Sequence, residues 1–280
     1  MKKLLLMPLC SALLLGQGCF QHREAPYRPV TATNLTQAVE LKASVERVVL
    51  ARQSIGALSP ELAQMPKLKE LWLRDAQVEG LTILTTLSQL ESLDLSFTRK
   101  AAFPAEVFAL TQLKQLWYVG NQLSSLPGKI SDLKNLTYLN LDQNNLKSLP
   151  VELFSLTHLR WLRLNDNALT ELPEDCGKLV HLQRLYLRRN QLTKLPESLK
   201  AAALLEDLSL SNNPLSEVPA WIVDLPKLRQ LDLDGCTVTK LPADLSKMKN
   251  LQVLSLIRCP LTDAERTRIR EALPKAHIAF

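Results

Sequence analysis

The chain has 280 residues, of which 46% are hydrophobic and 5% aromatic, and it contains 8 glycines. Leucine dominates the hydrophobic residues, a bias that favours a repeat architecture over ordinary globular cores. The net charge of +6 falls to +4 if Lys2 and Lys3 are removed with an N-terminal segment, and basic and acidic residues are mixed along the chain. This weak, dispersed charge argues against a nucleic-acid-binding protein or a basic membrane-binding surface.

The first eighteen residues have the composition of an export signal. Lys2 and Lys3 precede an apolar run over residues 4–15, which is shorter than the roughly 20 residues that span a bilayer. The following Leu-Gly-Gln-Gly-Cys resembles a bacterial lipoprotein cleavage box, although Leu15 lies four residues before Cys19 where the family has three. The resemblance implies a signal peptide over residues 1–18 and a lipid on Cys19. The alternative is ordinary cleavage to a soluble exported protein.

Residues 19–32 contain two prolines and no hydrophobic period, so we expect a lipid anchor followed by an extended tether. Residues 33–44 predict an amphipathic capping helix that starts at Thr33 or Asn34. Its apolar side, which would cover the first repeat, comprises Leu35, Ala38, Val39 and the stem of Lys42.

Leucine recurs with a fixed period over residues 45–262. Val45 opens the first unit, and Leu-x-x-Leu-x-Leu opens the others at Leu68, Leu90, Leu113, Leu136, Leu159, Leu182, Leu205, Leu228 and Leu251. The spacing is 23 residues apart from one step of 22. This pattern resembles the 23-residue form of the leucine-rich-repeat family. The resemblance implies an α/β repeat fold, a curved horseshoe solenoid of ten units with a concave parallel β-sheet.

Prolines and asparagines also recur at fixed places in the unit. The asparagines, at the turn that leaves each strand, are Asn121, Asn144, Asn167, Asn190 and Asn213. Stacked amides there can bond to backbone groups that no strand satisfies, so we expect a structural asparagine ladder. Cys236 and Cys259 take the same place in later units, either as two thiols or as a disulfide.

The chain ends in a second predicted cap over residues 263–280. A charged helix starting at Thr262 or Asp263 would reach Leu273, and a closing strand would follow at residues 277–280. The repeat is least regular early in the array, because the unit at Leu68 is one residue short and Lys100 occupies a leucine place.

The outward positions of the strands carry an unusual set of side chains. We expect partner binding by Trp72, Arg74, Trp117, Tyr138, Trp161, Arg163, Arg184, Tyr186 and Arg188. Exposed Trp, Tyr and Arg on a rigid sheet are typical interface anchors. The alternative is that these bulky residues stack on each other for stability alone.

Catalytic and metal-binding motifs do not appear in the sequence. It has no Gly-rich phosphate loop, no His-Glu-x-x-His and no Gly-x-Ser-x-Gly. His158 and His181 lie 23 residues apart, but no third ligand shares their register, so a solvated strand edge is the better interpretation. We therefore expect no enzyme activity, no cofactor and no metal.

These features together predict a monomeric scaffold or receptor that binds a protein partner through its concave face. It would contact the membrane only through its N-terminal lipid, and it would not bind nucleic acid. The expected location is the cell envelope as an outer-membrane lipoprotein, with a periplasmic or secreted soluble protein as the alternative. Carbohydrate binding is the alternative function, because aromatic faces also suit sugar rings.

Overall fold

A computed structural model describes residues 28–280, so the predicted signal peptide and the lipidation candidate Cys19 lie outside the described residues. The strands are β1 (Thr31–Ala32), β2 (Arg47–Val49), β3 (Ser54–Ala57), β4 (Glu70–Trp72), β5 (Gln77–Gly80), β6 (Ser92–Asp94), β7 (Gln115–Trp117), β8 (Tyr138–Asn140), β9 (Trp161–Arg163), β10 (Arg184–Tyr186), β11 (Asp207–Ser209), β12 (Gln230–Asp232), β13 (Val253–Ser255) and β14 (His277–Ala279). All except β3 and β5 form one 12-stranded parallel sheet in chain order. The predicted leucine-rich-repeat solenoid is confirmed.

Strand alternation separates the core from the outer sheet face. Leu139 on β8 is paired with Leu162 on β9, and both side chains are buried. The residues on either side of each such leucine face outward, as the period of two requires. Each fully buried leucine contributes roughly 1.5 to 3 kcal/mol, so stacking the units produces one continuous core.

Short 3-10 helices return the chain on the side opposite the large sheet. They span Pro60–Gln64, Thr82–Thr86, Ala105–Ala109, Gly128–Asp132, Val151–Ser155, Glu174–Lys178, Glu197–Ala201, Ala220–Asp224 and Leu245–Lys247. The recurring proline stands just before six of them, for example Pro150 with φ −69°. Its fixed φ and missing N–H suit the start of a helix. We call the outer face of the large sheet the concave face.

The asparagines connect each unit to the one before it. Asn190 donates from Nδ2 to the carbonyls of Leu164 and Leu187, at 2.9 Å in each case. Its Oδ1 accepts the backbone N–H of Leu169 at 3.0 Å. Asn144, Asn167 and Asn213 make the corresponding bonds. One side chain thus satisfies backbone groups in two successive units.

Cysteines continue this column at its C-terminal end. The thiol of Cys236 donates to the carbonyl of Leu210 at 3.4 Å, and that of Cys259 donates to Leu233 at 3.1 Å. Both are free and buried, and burial raises the pKa of Cys236 to about 11. Of the two alternatives, a disulfide or two free thiols, the structure has two free thiols. Each thiol thus donates to a carbonyl of the preceding unit, as the asparagine side chains do.

The early units are irregular for two physical reasons. The strands β3 and β5 pair in a small second sheet that the later units lack. Tyr118 occupies an inward position where other units have leucine, and its hydroxyl lies within hydrogen-bond distance of the carbonyls of Lys100 and Ala102. Its ring lies 4.9 Å from that of Phe103. Tyr118 therefore fills the region in which Lys100 replaces a leucine.

The N-terminal cap differs from its prediction in two details. Its helix α1 (Leu35–Glu40) is shorter than expected, and Asn34 is the N-cap, accepting the N–H of Gln37 at 2.8 Å. Leu35 and Ala38 form the side of this helix that faces the core, so Val39, also predicted to face the core, is 37% exposed. The predicted tether also ends early, since β1 pairs with β2 and so satisfies the backbone of the first edge strand.

The C-terminal cap is a helix followed by the strand β14. The helix α2 (Asp263–Ala272) has Thr262 as its N-cap, with Ile269 buried. The carboxylate of Glu265 accepts the N–H of Leu241 at 2.9 Å and pairs with Arg268, which lowers the pKa of Glu265. These contacts fix the helix over the last unit.

The asparagine bonds predict a measurable loss of stability. We expect Asn190→Ala to lower the free energy of unfolding by about 2 to 4 kcal/mol, because a buried N–H and two carbonyls lose their partner. The exposed Asn145 is the matched control, and Asn145→Ala should change the free energy of unfolding by less than about 0.5 kcal/mol. Urea unfolding measures both variants. Equal losses would contradict the structural role of the column.

Candidate functional site

The centre of the concave face carries a row of aromatic side chains. The ring centroids of Trp117 and Tyr138 are 4.9 Å apart, and those of Tyr138 and Trp161 are 5.7 Å apart. The sheet register places them on the consecutive strands β7, β8 and β9. All three side chains are half-buried, so each presents part of its ring to solvent.

Two arginines extend this row toward the C-terminal end. The guanidinium of Arg184 lies over the ring of Trp161 at 4.3 Å, and that of Arg163 lies over Tyr186 at 5.0 Å. Such contacts contribute about 0.5 to 2 kcal/mol each. We call the six residues Trp117, Tyr138, Trp161, Arg163, Arg184 and Tyr186 the central patch.

The central arginines also have carboxylate partners. Arg163 Nε lies 2.8 Å from Asp142 Oδ2, and Arg184 Nε lies 3.0 Å from Asp207 Oδ2. Asp142 is buried and accepts the backbone N–H of Asn165 through its second oxygen at 2.7 Å. Ring stacking and ion pairing therefore both fix the side chains of the patch.

A second polar column runs along the edge of the concave face. In it, Asp142, Asn165 and Asp234 each accept the backbone N–H at the same position of the following unit, at 2.7 to 2.8 Å. The repeat predicts that these side chains face outward, and the structure shows that they also hold the backbone of the following unit. The signal was present, since short acceptor side chains recur two residues before the asparagine column.

Burial changes the titration of the patch. It raises the pKa of Tyr138 and of Tyr186 above the ordinary tyrosine value, at which the hydroxyl is already neutral at physiological pH. It also raises the pKa of Asp207, against the opposing effect of Arg184. The patch therefore offers neutral hydroxyl groups beside paired charges.

Trp72 and Arg74 lie apart from the central patch. Arg47 covers the ring of Trp72 at 4.4 Å and pairs with Glu70 at 2.7 Å. Arg74 lies over Phe97, 4.6 Å from its ring centroid. Of the nine predicted residues, six therefore form the central patch, and Trp72 and Arg74 lie apart from it. Arg188 is exposed beside the central patch and forms no ion pair in residues 28–280.

Phe97 was not singled out from the sequence. Its ring covers the backbone of Gly120, where a Cβ atom would lie 2.3 Å from the ring, and Gly120 has φ +66°. The signal was the glycine at position 120, because most other units have a side chain at this place and only Gly235 repeats the glycine. Phe97 and Arg74 form a second stacked pair at the edge of the face.

The two histidines that could suggest a metal site contact each other and the backbone. The rings of His158 and His181 stack at 6.3 Å, and Nδ1 of His181 lies 2.8 Å from the carbonyl of Thr157. Within residues 28–280 there is no cluster of three or more metal-ligating side chains, and no helix there is long and apolar enough to cross a membrane. Cavities of about 300 to 410 Å³ lie beside the 3-10 helices, away from the patch.

Comparison with known proteins agrees with the stacked geometry. The family profile described as leucine-rich repeat region matches residues 174–275, and a second, leucine rich repeat, matches residues 88–146 and 134–192. A solved leucine-rich-repeat protein of Leptospira interrogans is 30% identical with a TM-score of 0.60, over 90% of this chain and 75% of that one. This chain belongs to the leucine-rich-repeat family.

Two further solved structures show how widely this fold is used. An internalin of Listeria monocytogenes is 20% identical with a TM-score of 0.71, over 88% of this chain and 76% of the internalin, and shows similarity of fold. The Arabidopsis receptor kinase HAESA, solved with a peptide hormone and a co-receptor, is 28% identical with a TM-score of 0.68, over 79% of this chain and 40% of HAESA. No curated protein sequence matches this chain. Leucine-rich repeats commonly mediate protein–protein interaction and are typically non-enzymatic scaffolds.

The ion pairs predict different roles for Arg163, in the central patch, and Arg188, beside it. Arg163→Ala leaves Asp142 buried without its cation, and we expect it to lower the free energy of unfolding by about 2 kcal/mol. Arg188→Ala removes an exposed, unpaired side chain, so a change below about 0.5 kcal/mol is expected. Thermal and urea unfolding compare the two. If Arg163→Ala proves as mild as Arg188→Ala, Arg163 does not support the patch.

Proposed function

We propose that the protein is a non-enzymatic binding protein that recognises a protein partner through the central patch. The observation that carries this proposal is the half-exposed aromatic row of Trp117, Tyr138 and Trp161 on three consecutive strands. Aromatic side chains grouped at the centre of a surface are the residues from which interfaces gain most of their binding free energy.

The contacts within the patch favour binding. Arg163 and Arg184 are held by both a ring and a carboxylate, so few side-chain conformations are lost when a partner docks. A surface that is already ordered loses less conformational entropy on association. The exposed, unpaired Arg188 beside the patch adds a positive charge that can select a partner by electrostatic complementarity.

The comparisons support the same class of function. HAESA was solved as a complex with a peptide hormone and a co-receptor, and it shares the repeat architecture over most of this chain. The partner of this protein is expected to be a polypeptide on the same grounds. No catalytic step is proposed, and the site needs no cofactor or metal for recognition.

Carbohydrate binding is the second candidate, and the aromatic row is the observation that favours it. Neighbouring rings are tilted by 39° and 56° instead of being coplanar, and Arg184 lies over the ring of Trp161. A sugar needs an open ring face on which to stack, whereas a peptide side chain fits between tilted rings. The geometry therefore favours a protein partner.

We also propose that Cys19 carries a lipid and that the protein lies in the cell envelope, as an outer-membrane lipoprotein. The support is the N-terminal sequence, with its apolar run followed by Gly18 and Cys19. Labelling cells with a fatty acid and comparing the protein with its Cys19→Ser variant tests the anchor. The label should appear only in the unaltered protein.

Site-specific crosslinking tests the proposed binding face. A photoreactive phenylalanine analogue replaces Gln115, which is exposed on the concave face beside Tyr138, or Val151, which is exposed on the opposite side. Irradiation in cells should give one protein adduct of defined mass from position 115 and none from position 151. We expect this adduct to decrease more than tenfold in a Trp117→Ala, Trp161→Ala double variant.

The matched control for that variant is Val151→Ala with Val180→Ala, which shortens two exposed apolar side chains away from the patch. This control should keep the adduct. An undiminished adduct in the tryptophan double variant, at an unchanged melting temperature, would refute the proposal. Retention on peptidoglycan that requires both tryptophans, without a protein adduct, would favour carbohydrate binding instead.

A further inference from the structure

A carboxylate lies between two tryptophans in the middle column of the concave face. The sheet register pairs Trp72 on β4 with Asp94 on β6, and Asp94 with Trp117 on β7. Neighbouring strands are about 4.8 Å apart, so the two tryptophan backbones are separated by about 10 Å. The side chain of Asp94 projects from the strand between the two tryptophans.

The far sides of both rings are already occupied. Arg47, on the strand before Trp72, lies 4.4 Å from the centroid of that ring. Tyr138, on the strand after Trp117, lies 4.9 Å from the Trp117 ring. Within residues 28–280 no other ring or guanidinium stacks on either tryptophan, so the sides that flank Asp94 have no stacking partner.

Asp94 differs from its charged neighbours because it has no cation. Its Oδ1 accepts the backbone N–H of Ser96 at 2.8 Å, and in the described part of the chain it forms no ion pair. By contrast, Glu70, Asp142 and Asp207 each pair with an arginine. Asp94 is only half-buried. Its second oxygen is therefore a negative acceptor on the face without a positive partner.

Polar atoms next to Asp94 are also without partners. Ser92 lies two residues earlier on the same strand, so it projects to the same face, and it is 4% exposed. Neither its hydroxyl oxygen nor the indole nitrogen of Trp72 has a hydrogen-bond partner among the described residues. A buried indole N–H and a buried hydroxyl without partners therefore lie next to the Asp94 carboxylate.

We infer that Trp72, Asp94 and Trp117 form a slot for one lysine or arginine side chain of the polypeptide partner, an inference that rests on the proposed function. The ligand's positive charge would pair with the Asp94 carboxylate and contact both ring faces. Its methylene stem would pack against the indoles. An anionic or neutral side chain would leave the carboxylate unpaired.

The slot is continuous with the central patch because Trp117 belongs to both. A polypeptide that covers Tyr138 and Trp161 can place a basic side chain over Asp94 without leaving the sheet. We therefore expect the partner's binding segment to have a basic residue at one end, next to the residues that contact the aromatic row.

The test uses two synthetic peptides, acetyl-Gly-Gly-Lys-Gly-Gly-amide and its counterpart with Nε-acetyl-lysine. Each is titrated into the protein while the indole N–H signals of Trp72 and Trp117 are followed by NMR at low ionic strength. We expect a saturable shift with the lysine peptide and at least tenfold weaker binding of the acetylated peptide.

Asp94→Asn should weaken binding of the lysine peptide about tenfold, while its amide oxygen still accepts the Ser96 N–H. The matched control is Asp234→Asn, because Asp234 also accepts a backbone N–H, that of Ile257, and has no ion pair among the described residues. That control should change the affinity less than twofold. Thermal unfolding verifies that both variants are folded.

Equal binding of the two peptides, or no saturable shift with either, would overturn the slot. An equal loss in Asp94→Asn and Asp234→Asn would do the same, because it would indicate general charge attraction. A failed slot is distinguishable from a failed binding face. In the first case the crosslinked adduct at position 115 still forms and still requires Trp117 and Trp161, and in the second it does not.

Discussion

The hydrogen bonds that one asparagine makes at the turn leaving a strand hold each of the middle units to its neighbour. Asn167 donates from the same nitrogen to Leu141 in the preceding unit and to Leu164 in its own, at 3.0 and 3.1 Å. Since units of a solenoid contact only their neighbours, each pairwise contact must set the register by itself. The amide does this because a unit of different length would move it away from one of its two carbonyls.

A fixed register determines what the concave face can present. Positions 23 residues apart lie side by side on neighbouring strands, so side chains in the same column contact each other directly. In this way Arg184 contacts both Trp161 and Asp207 on the flanking strands. Arg47, Arg163 and Arg184 are each paired with a carboxylate on this face. Among the described residues Asp94 and Arg188 form no ion pair, and they lie next to the central patch, where we propose that the partner binds.

Much of this arrangement was predictable from the sequence. The period of 23 placed Trp117, Tyr138 and Trp161 on neighbouring strands, because repeat spacing and strand alternation together determine the face of each residue. The roles of Arg163 and Arg184 were not predictable in the same way. A long side chain can extend toward solvent or lie on a neighbour, and only the packed geometry decides between the two.

Other differences also have local causes. A two-residue strand such as β1 shows no alternation, so its pairing with β2 was not visible in the sequence. Tyr118 replaces leucine inside the core because its hydroxyl reaches carbonyls that an irregular turn leaves free. The acceptor column that includes Asp142 and Asn165 was overlooked because outward positions were interpreted as binding residues alone. Structural and binding roles thus overlap on one face.

Hydroxyl-radical footprinting of the protein with its crosslink-identified partner tests most directly whether the concave face is the binding surface. Oxidation of Trp117, Tyr138 and Trp161 should fall several-fold in the complex, while the exposed His158 and His181 at the strand edge should react as in the free protein. Unchanged oxidation of the aromatic row, with protection elsewhere on the solenoid, would contradict the proposed binding face.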